Sequence, residues 1–363
     1  MKKLIALLLA VLMVFALVAC ASNDTKTEEP DTTPADTTPA DTTPADTTPA
    51  DTTPADTTPA DETPADTGNE KLVLGFAQIG QESGWRDAET NDIQWYAARN
   101  LDTVELVFAD AQQKQENQIK AIRSFIEMGV DVIAFPPVVE TGWEAVLTEC
   151  KEAGIPVILV DRGIDASADQ DLYTTMIASD HVWAGEQAAI VMNDLLGGSG
   201  VVVELEGTVG ASAAVQRKQG FDDYIAANCP DIQIVASQTG DFTRAMGKEV
   251  MESFLKTYDN IDGLFCHNDD MALGAIEAIK EAGLKPGEDI KIVGVDGVKG
   301  AFEAILAGEM NATVECTPIL ANQIFETAAK LKAGETVDKW IMSADGVYTA
   351  DKVDADVVAG RAY

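Results

Sequence analysis

Histidine is nearly missing from this 363-residue chain; His181 and His267 are the only two. Of five cysteines, none belongs to a Cys-x-x-Cys pair, so zinc sites of the usual spacing are excluded. Positive charge is also scarce: 25 Lys and Arg face 61 Asp and Glu, for a formal charge of −36. Phosphate binding needs clustered cations, which excludes nucleic acid as a partner. No Gly-x-Ser-x-Gly, Gly-x-x-x-x-Gly-Lys-Ser/Thr or Asp-x-Asp-x-Asp-Gly segment occurs. That removes the common hydrolase elbow, the nucleotide-binding loop and an EF-hand calcium site. The expectation is no metal, no cofactor and no enzyme activity.

What is present begins with residues 1–20: Lys2 and Lys3, an apolar stretch from Leu4 to Val18, then Ala19-Cys20. A basic start, a short apolar core and small residues at the cut form a secretory signal, and such a segment is removed rather than folded. The Leu17-Val18-Ala19-Cys20 ending resembles the lipobox of bacterial lipoproteins, which implies a lipid anchor on Cys20 at the outer face of the cell membrane. Residues 21–70 form an acidic linker. Positions 31–60 are six copies of Asp-Thr-Thr-Pro-Ala, too poor in large apolar side chains to offset the entropy of ordering. At about 3 Å per residue the linker reaches at most about 150 Å. Cys150, Cys229, Cys266 and Cys316 read as buried free thiols, although an oxidising compartment permits disulfides.

From Lys71 onward, apolar runs alternate with amphipathic stretches. Leu72–Ala77, Val104–Ala109, Val130–Phe135 and Val157–Val160 read as buried parallel strands. A second series covers Val201–Leu205, Ile232–Ser237, Gly263–Cys266, Ile290–Val295 and Ala312–Cys316. Helices are expected at 113–128, 214–228, 243–258 and 272–282, with Gly129 and Gly283 as stops. Alternation over about 290 residues predicts an α/β fold of doubly wound parallel sheets in two lobes. Asp110, Asp161, Asn268 and Asp296 stand at or just after strand ends, the edge where open α/β sheets bind ligands. Asp110 reads better as a cap of the following helix, whereas Asp161-Arg162 and Asp296-Gly297 read as functional.

Several longer motifs carry a family resemblance. Glu82-Ser83-Gly84-Trp85-Arg86, Val160-Asp161-Arg162, His267-Asn268-Asp269-Asp270 and Val295-Asp296-Gly297 resemble bacterial solute-binding proteins of ABC sugar importers, the ribose- and galactose-binding group (periplasmic binding protein type 1). The segments at 82–91, 112–121, 207–212 and 240–244 resemble the galactofuranose-binding branch. The resemblance implies two Rossmann-like lobes joined by a three-strand hinge. It places 71–179 with 317–345 in the N-terminal lobe and 180–316 with 346–363 in the C-terminal one. It also implies a monomer that closes on a monosaccharide and delivers it to permease subunits.

A sugar offers hydroxyls that both donate and accept, plus an apolar C–H face. Carboxylates and guanidinium forks match the hydroxyls, and aromatic rings match the face. Glu82, Arg86, Asp161 and Arg162 are therefore assigned to hydroxyl binding from one lobe, and Arg217, Asn268 and Asp296 from the other. Trp85 and Phe242 are the stacking rings, with Thr208 a further ligand residue. The bland readings make Trp85 a core residue, pair Arg86 with Glu89 or Thr90 on the helix surface, and leave Thr208 in a plain loop. Cys316 stands at the hinge where the ribose-binding pattern has Gln. Two other functions compete. A glycosidase would pair Glu82 with Asp161 or Asp296, but adjacent arginines keep acids ionised, while a proton donor needs a raised pKa. A sugar or furanone sensor would present its closed form to a chemoreceptor or sensor kinase.

Overall fold

The computed structural model describes residues 71–165 and 170–363; the signal segment, Cys20 and the repeat linker lie outside the described residues. The first half of the described chain alternates β1 (Leu72–Gln78), α1 (Gly84–Arg99), β2 (Val104–Asp110), α2 (Gln115–Met128), β3 (Val132–Phe135), α3 (Glu144–Glu152), β4 (Val157–Val160) and β5 (Thr175–Ala178). Next come α4 (His181–Leu196), β6 (Ser199–Glu206), α5 (Ser212–Asn228), β7 (Asp231–Thr239), α6 (Arg244–Thr257), β8 (Gly263–Cys266) and α7 (Asp269–Glu281). The rest is β9 (Lys291–Asp296), α8 (Lys299–Leu306), β10 (Ala312–Glu315), α9 (Ala321–Lys332), β11 (Trp340–Met342), β12 (Val347–Thr349) and α10 (Ala355–Gly360).

Two six-stranded sheets result. One runs β11-β5-β4-β3-β1-β2 and the other β12-β10-β9-β8-β6-β7. Every pairing is parallel except β10 with β12. The chain therefore leaves the first sheet after Ala178, returns after Glu315 to lay α9 against β1 and α1, and crosses again between Met342 and Val347. Central strands such as β3, β4 and β8 are buried along their whole length, which is why they read as unbroken apolar runs. Helix α2 stops where Gly129 turns left-handed (φ 68°) and its N–H meets the carbonyls of Ile126 and Phe125, the glycine end seen in the sequence.

The core divides with the sheets. Phe76, Ile93, Ile324 and Phe325 fill one face of the first sheet, and Phe135, Trp143 and Leu147 the other. A single larger cluster holds the second lobe, and it includes Trp85 from α1. In that lobe helices approach through glycine. A Cβ on Gly185 would stand 2.1 Å from the Arg217 carbonyl oxygen, and one on Gly220 2.0 Å from that of Val182. The α4–α5 crossing is thereby close enough to fix where Arg217 projects. All four folded-domain cysteines are buried and free.

Candidate functional site

Strand ends and helix starts of both lobes converge on one cavity. It is lined by Glu82, Ser83, Trp85, Arg86, Asp161, Arg162, Ala213, Arg217, Phe242, Asn268 and Asp296. Nine of the ten residues assigned from sequence meet here. Thr208 is the one that does not line the cavity. Its carbonyl accepts the Ala211 N–H at 3.1 Å in the turn leading to α5. The working residue of that motif is Gly207: a Cβ there would lie 2.0 Å from the Phe242 ring, so only glycine lets the ring seat.

Charges in the wall are interlocked. Arg86 donates to Glu89 at 2.5 Å, to Asp161 at 2.6 Å and to Glu82 at 3.3 Å, while Arg162 donates to Glu82 at 2.5 Å. The Arg86–Glu89 pair weighed as a surface contact is real, but both side chains are buried, so it supports the wall instead of decorating a helix. Burial pushes the Asp161 carboxyl up, yet Arg86, His181 and Arg162 outweigh it and leave it below its usual range. Asp296 goes the other way: burial raises it well above normal against the pull of Arg217, which corrects the expectation that the neighbouring arginines keep every acid of the cleft ionised. Arg217 donates through Nη1 to the His267 carbonyl at 2.5 Å and stands 3.3 Å from Asp296.

Two guanidinium nitrogens of this wall, Nε of Arg162 and Nε of Arg217, are buried without a hydrogen-bond partner. A buried donor left unmade costs about 1–3 kcal/mol, so each calls for an acceptor. Asn268 is largely committed. It caps α7 by accepting from Met271 N–H and donates to the Phe242 carbonyl, both at 3.0 Å, which leaves one amide N–H for anything else. Trp85 keeps both of its weighed roles, lining the cavity, packing into the second lobe's core and donating Nε1–H to the Cys316 carbonyl at 2.5 Å. The Phe242 ring lies 5.0 Å from the Arg162 guanidinium across the cleft.

Three of the six non-glycine residues with positive φ among the described residues line this cavity. Asp161 (φ 60°), Phe242 (φ 60°) and Asp296 (φ 123°) all take positive φ without being glycine, a costly state that persists where the surroundings fix it. Asp110, by contrast, is exposed and accepts the Gln112 N–H at 2.7 Å; it closes a turn, and α2 starts later. His181 and His267 serve the scaffold. His267 Nε2 meets Glu204 at 2.9 Å while its Nδ1 accepts from Gly207 N–H at 3.2 Å. His181 Nε2 lies 2.9 Å from the Asp161 carbonyl. No group of three or more His, Cys, Asp or Glu among the described residues is placed to hold a metal. Ser83 and Ala213 line the cavity without having been expected from sequence. Ser83 was findable, because its hydroxyl caps α1 by accepting from Arg86 N–H, three residues on.

With this geometry in view, residues 74–336 match the family model described as "Periplasmic binding protein domain". The galactofuranose-binding protein YtfQ of Escherichia coli is 49% identical over 285 residues, 77% of this chain and 88% of that protein. A crystal structure from Mycobacterium smegmatis in complex with β-D-fucofuranose is 50% identical with a TM-score of 0.75, covering 78% of this chain and 92% of that one. The periplasmic binding protein component of the arabinose ABC transporter from Shewanella sp. ANA-3, bound to α- and β-L-arabinofuranose, is 48% identical with a TM-score of 0.75, covering 78% and 94%. Two α/β lobes, a polar cavity between them and a match across most of the folded chain lead to one conclusion: this chain belongs to the type 1 periplasmic binding protein family.

Proposed function

We propose that the cleft captures one neutral monosaccharide, galactofuranose or a related pentose or hexose. The protein is then the extracytoplasmic solute-binding lipoprotein of an ABC sugar importer, handing its ligand to the permease. The carrying observation is the wall of paired carboxylates and guanidiniums in which Arg162 Nε, 3.8 Å from Asp161 Oδ2, and Arg217 Nε make no hydrogen bond within the protein. Sugar hydroxyls accept from such donors and donate to Glu82, Asp161 and Asp296. Trp85 and Phe242 offer apolar faces to the ring. The three relatives named above are called after, or crystallised with, furanoses, which favours that ring form here.

The remaining parts of the reading rest on sequence. Cys20 carries the lipid, residues 21–70 tether the domain, and the protein acts as a monomer at the outer membrane face. The lobes divide as 71–179 with 317–345 and 180–316 with 346–363, consistent with the chain crossings after Ala178, Glu315 and Met342. Isothermal calorimetry against furanose and pyranose forms of galactose, arabinose and fucose tests the ligand. The expected Kd is near micromolar, about −8 kcal/mol; failure to bind any monosaccharide sinks the reading. The double variant Arg162→Ala/Asp296→Ala should abolish capture. Nitrophenyl glycosides should not turn over. Loss of growth on galactofuranosides after deletion would separate uptake from sensing.

A further inference from the structure

Helix α7 opens with Asn268-Asp269-Asp270, and each of the three holds a different wall of the cleft. Asn268 grips the Phe242 carbonyl. Asp269 lies beneath the Asp296 turn, accepting from Gly297 N–H at 2.8 Å, Val298 N–H at 3.0 Å and the Thr313 hydroxyl at 2.9 Å. Asp270 reaches across to the other lobe, where its Oδ2 accepts the Gly84 N–H at 2.8 Å. Gly84 is the first residue of α1, the helix that carries Trp85 and Arg86 into the cavity. Asp270 itself does not line that cavity.

We propose that Asp270 is a positioning residue for ligand capture: it clasps the N-terminus of α1 in the closed form and so raises affinity without touching the ligand. The inference rests on the sugar-binding reading above. A helix start has N–H donors with no partner inside the helix. Ser83 Oγ takes that of Arg86, which leaves Gly84 N–H for an acceptor from outside. An anion is the favoured acceptor there, because the helix dipole is positive at that end. Arg244 Nη2, 3.2 Å from Asp270 Oδ1, holds the carboxylate in place. A Cβ on Gly84 would lie 3.4 Å from Asp270 Oδ2, so the lobes meet here in van der Waals contact. The neighbouring Trp85–Cys316 bond fastens the same edge. Gly163 N–H to Ser212 Oγ and Glu140 N–H to the Gly210 carbonyl, each 2.8 Å, fasten other points along the lobe boundary. When the lobes part, Gly84 N–H and Asp270 both return to water. The clasp therefore contributes to closing, and ligand binding draws on the closed population.

The test compares Asp270→Ala with the double variant Asp270→Ala/Gly84→Pro, read by calorimetry with the sugar that binds best and by stopped-flow tryptophan fluorescence for release. Proline is favoured at the first helical position, and extended Ser83 (φ −155°, ψ 164°) suits a following proline. Gly84→Pro therefore keeps the helix start and removes the donor, but its ring Cδ takes the place of the hydrogen facing Asp270 Oδ2, 2.8 Å from the nitrogen. Alone it also presses the lobes apart, so it is read only in the Asp270→Ala background, where that oxygen is gone and it should add little. Asp270→Ala should raise Kd about tenfold, equal to about 1.4 kcal/mol, mostly through faster release. Ligand-free melting should be unchanged, and Asp270→Asn should recover part of the affinity. An unchanged Kd in Asp270→Ala overturns the clasp. So does a fall in ligand-free stability that matches the lost affinity, since that marks a purely structural residue. A wild-type protein that binds no sugar overturns the functional reading instead.

Discussion

At the residue scale, the cleft gathers strained backbone and buried charge in one place. Asp161, Phe242 and Asp296 hold positive φ, and His181 is buried beside Arg217 and Asp161. Burial, with Arg217 adding to it, depresses the His181 pKa from 6.5 to about 4. The folded state thus binds fewer protons than the unfolded one between those values. Its stability contribution is complete above about pH 6.5 and is lost as pH falls towards 4, at most about 3 kcal/mol. Thermal melts from pH 7.5 to 4.5 should show that decline, and His181→Gln should flatten it; parallel curves would refute the assignment. Much of this scale was legible. Asp161, Asn268 and Asp296 were visible because polar residues right after apolar strands fall on the binding edge. The commitment of Asn268 to Phe242 and Met271 was not, because its partners are set by tertiary approach.

At the element scale, close helix crossings position the side chains that matter. Gly185 and Gly220 let α4 and α5 meet, and Gly247 and Gly274 do the same for α6 and α7. Gly185→Ala should destabilise the protein by about 1–3 kcal/mol through overpacking. It should also raise the sugar Kd, because Arg217 shifts with α5; denaturant melts and calorimetry check both. A change in stability with no change in affinity would show that Arg217 is positioned otherwise. Sequence periodicity found β1–β4 and β6–β10 to within two residues and α2, α5, α6 and α7 to within three, but not α1 or α4, whose sixteen residues each bury small and polar side chains alongside few large apolar ones. Strands β5, β11 and β12, three or four residues each, escaped it. Runs that short carry little period-two signal, and their pairing depends on neighbours far along the chain.

At the scale of the whole molecule, capture and closure are one equilibrium. A ligand that binds only the native form stabilises it by about 2.7 kcal/mol at one hundred times its Kd. Melting with saturating galactofuranose should therefore rise by several degrees, while a sugar that calorimetry finds inert should leave it unmoved. The sequence by itself determined the alternation of strand and helix, the two lobes, and the chemical kinds of side chain at the binding edge. These follow from apolar periodicity and local stop signals, which act over a few residues. Only the tertiary structure decided which of those side chains share a cavity. It set Gly207 against the Phe242 ring, buried Glu89 behind Arg86, and brought Asp270 to Gly84, 186 positions away. Such contacts arise from how sheets stack and lobes close, and no local pattern encodes them.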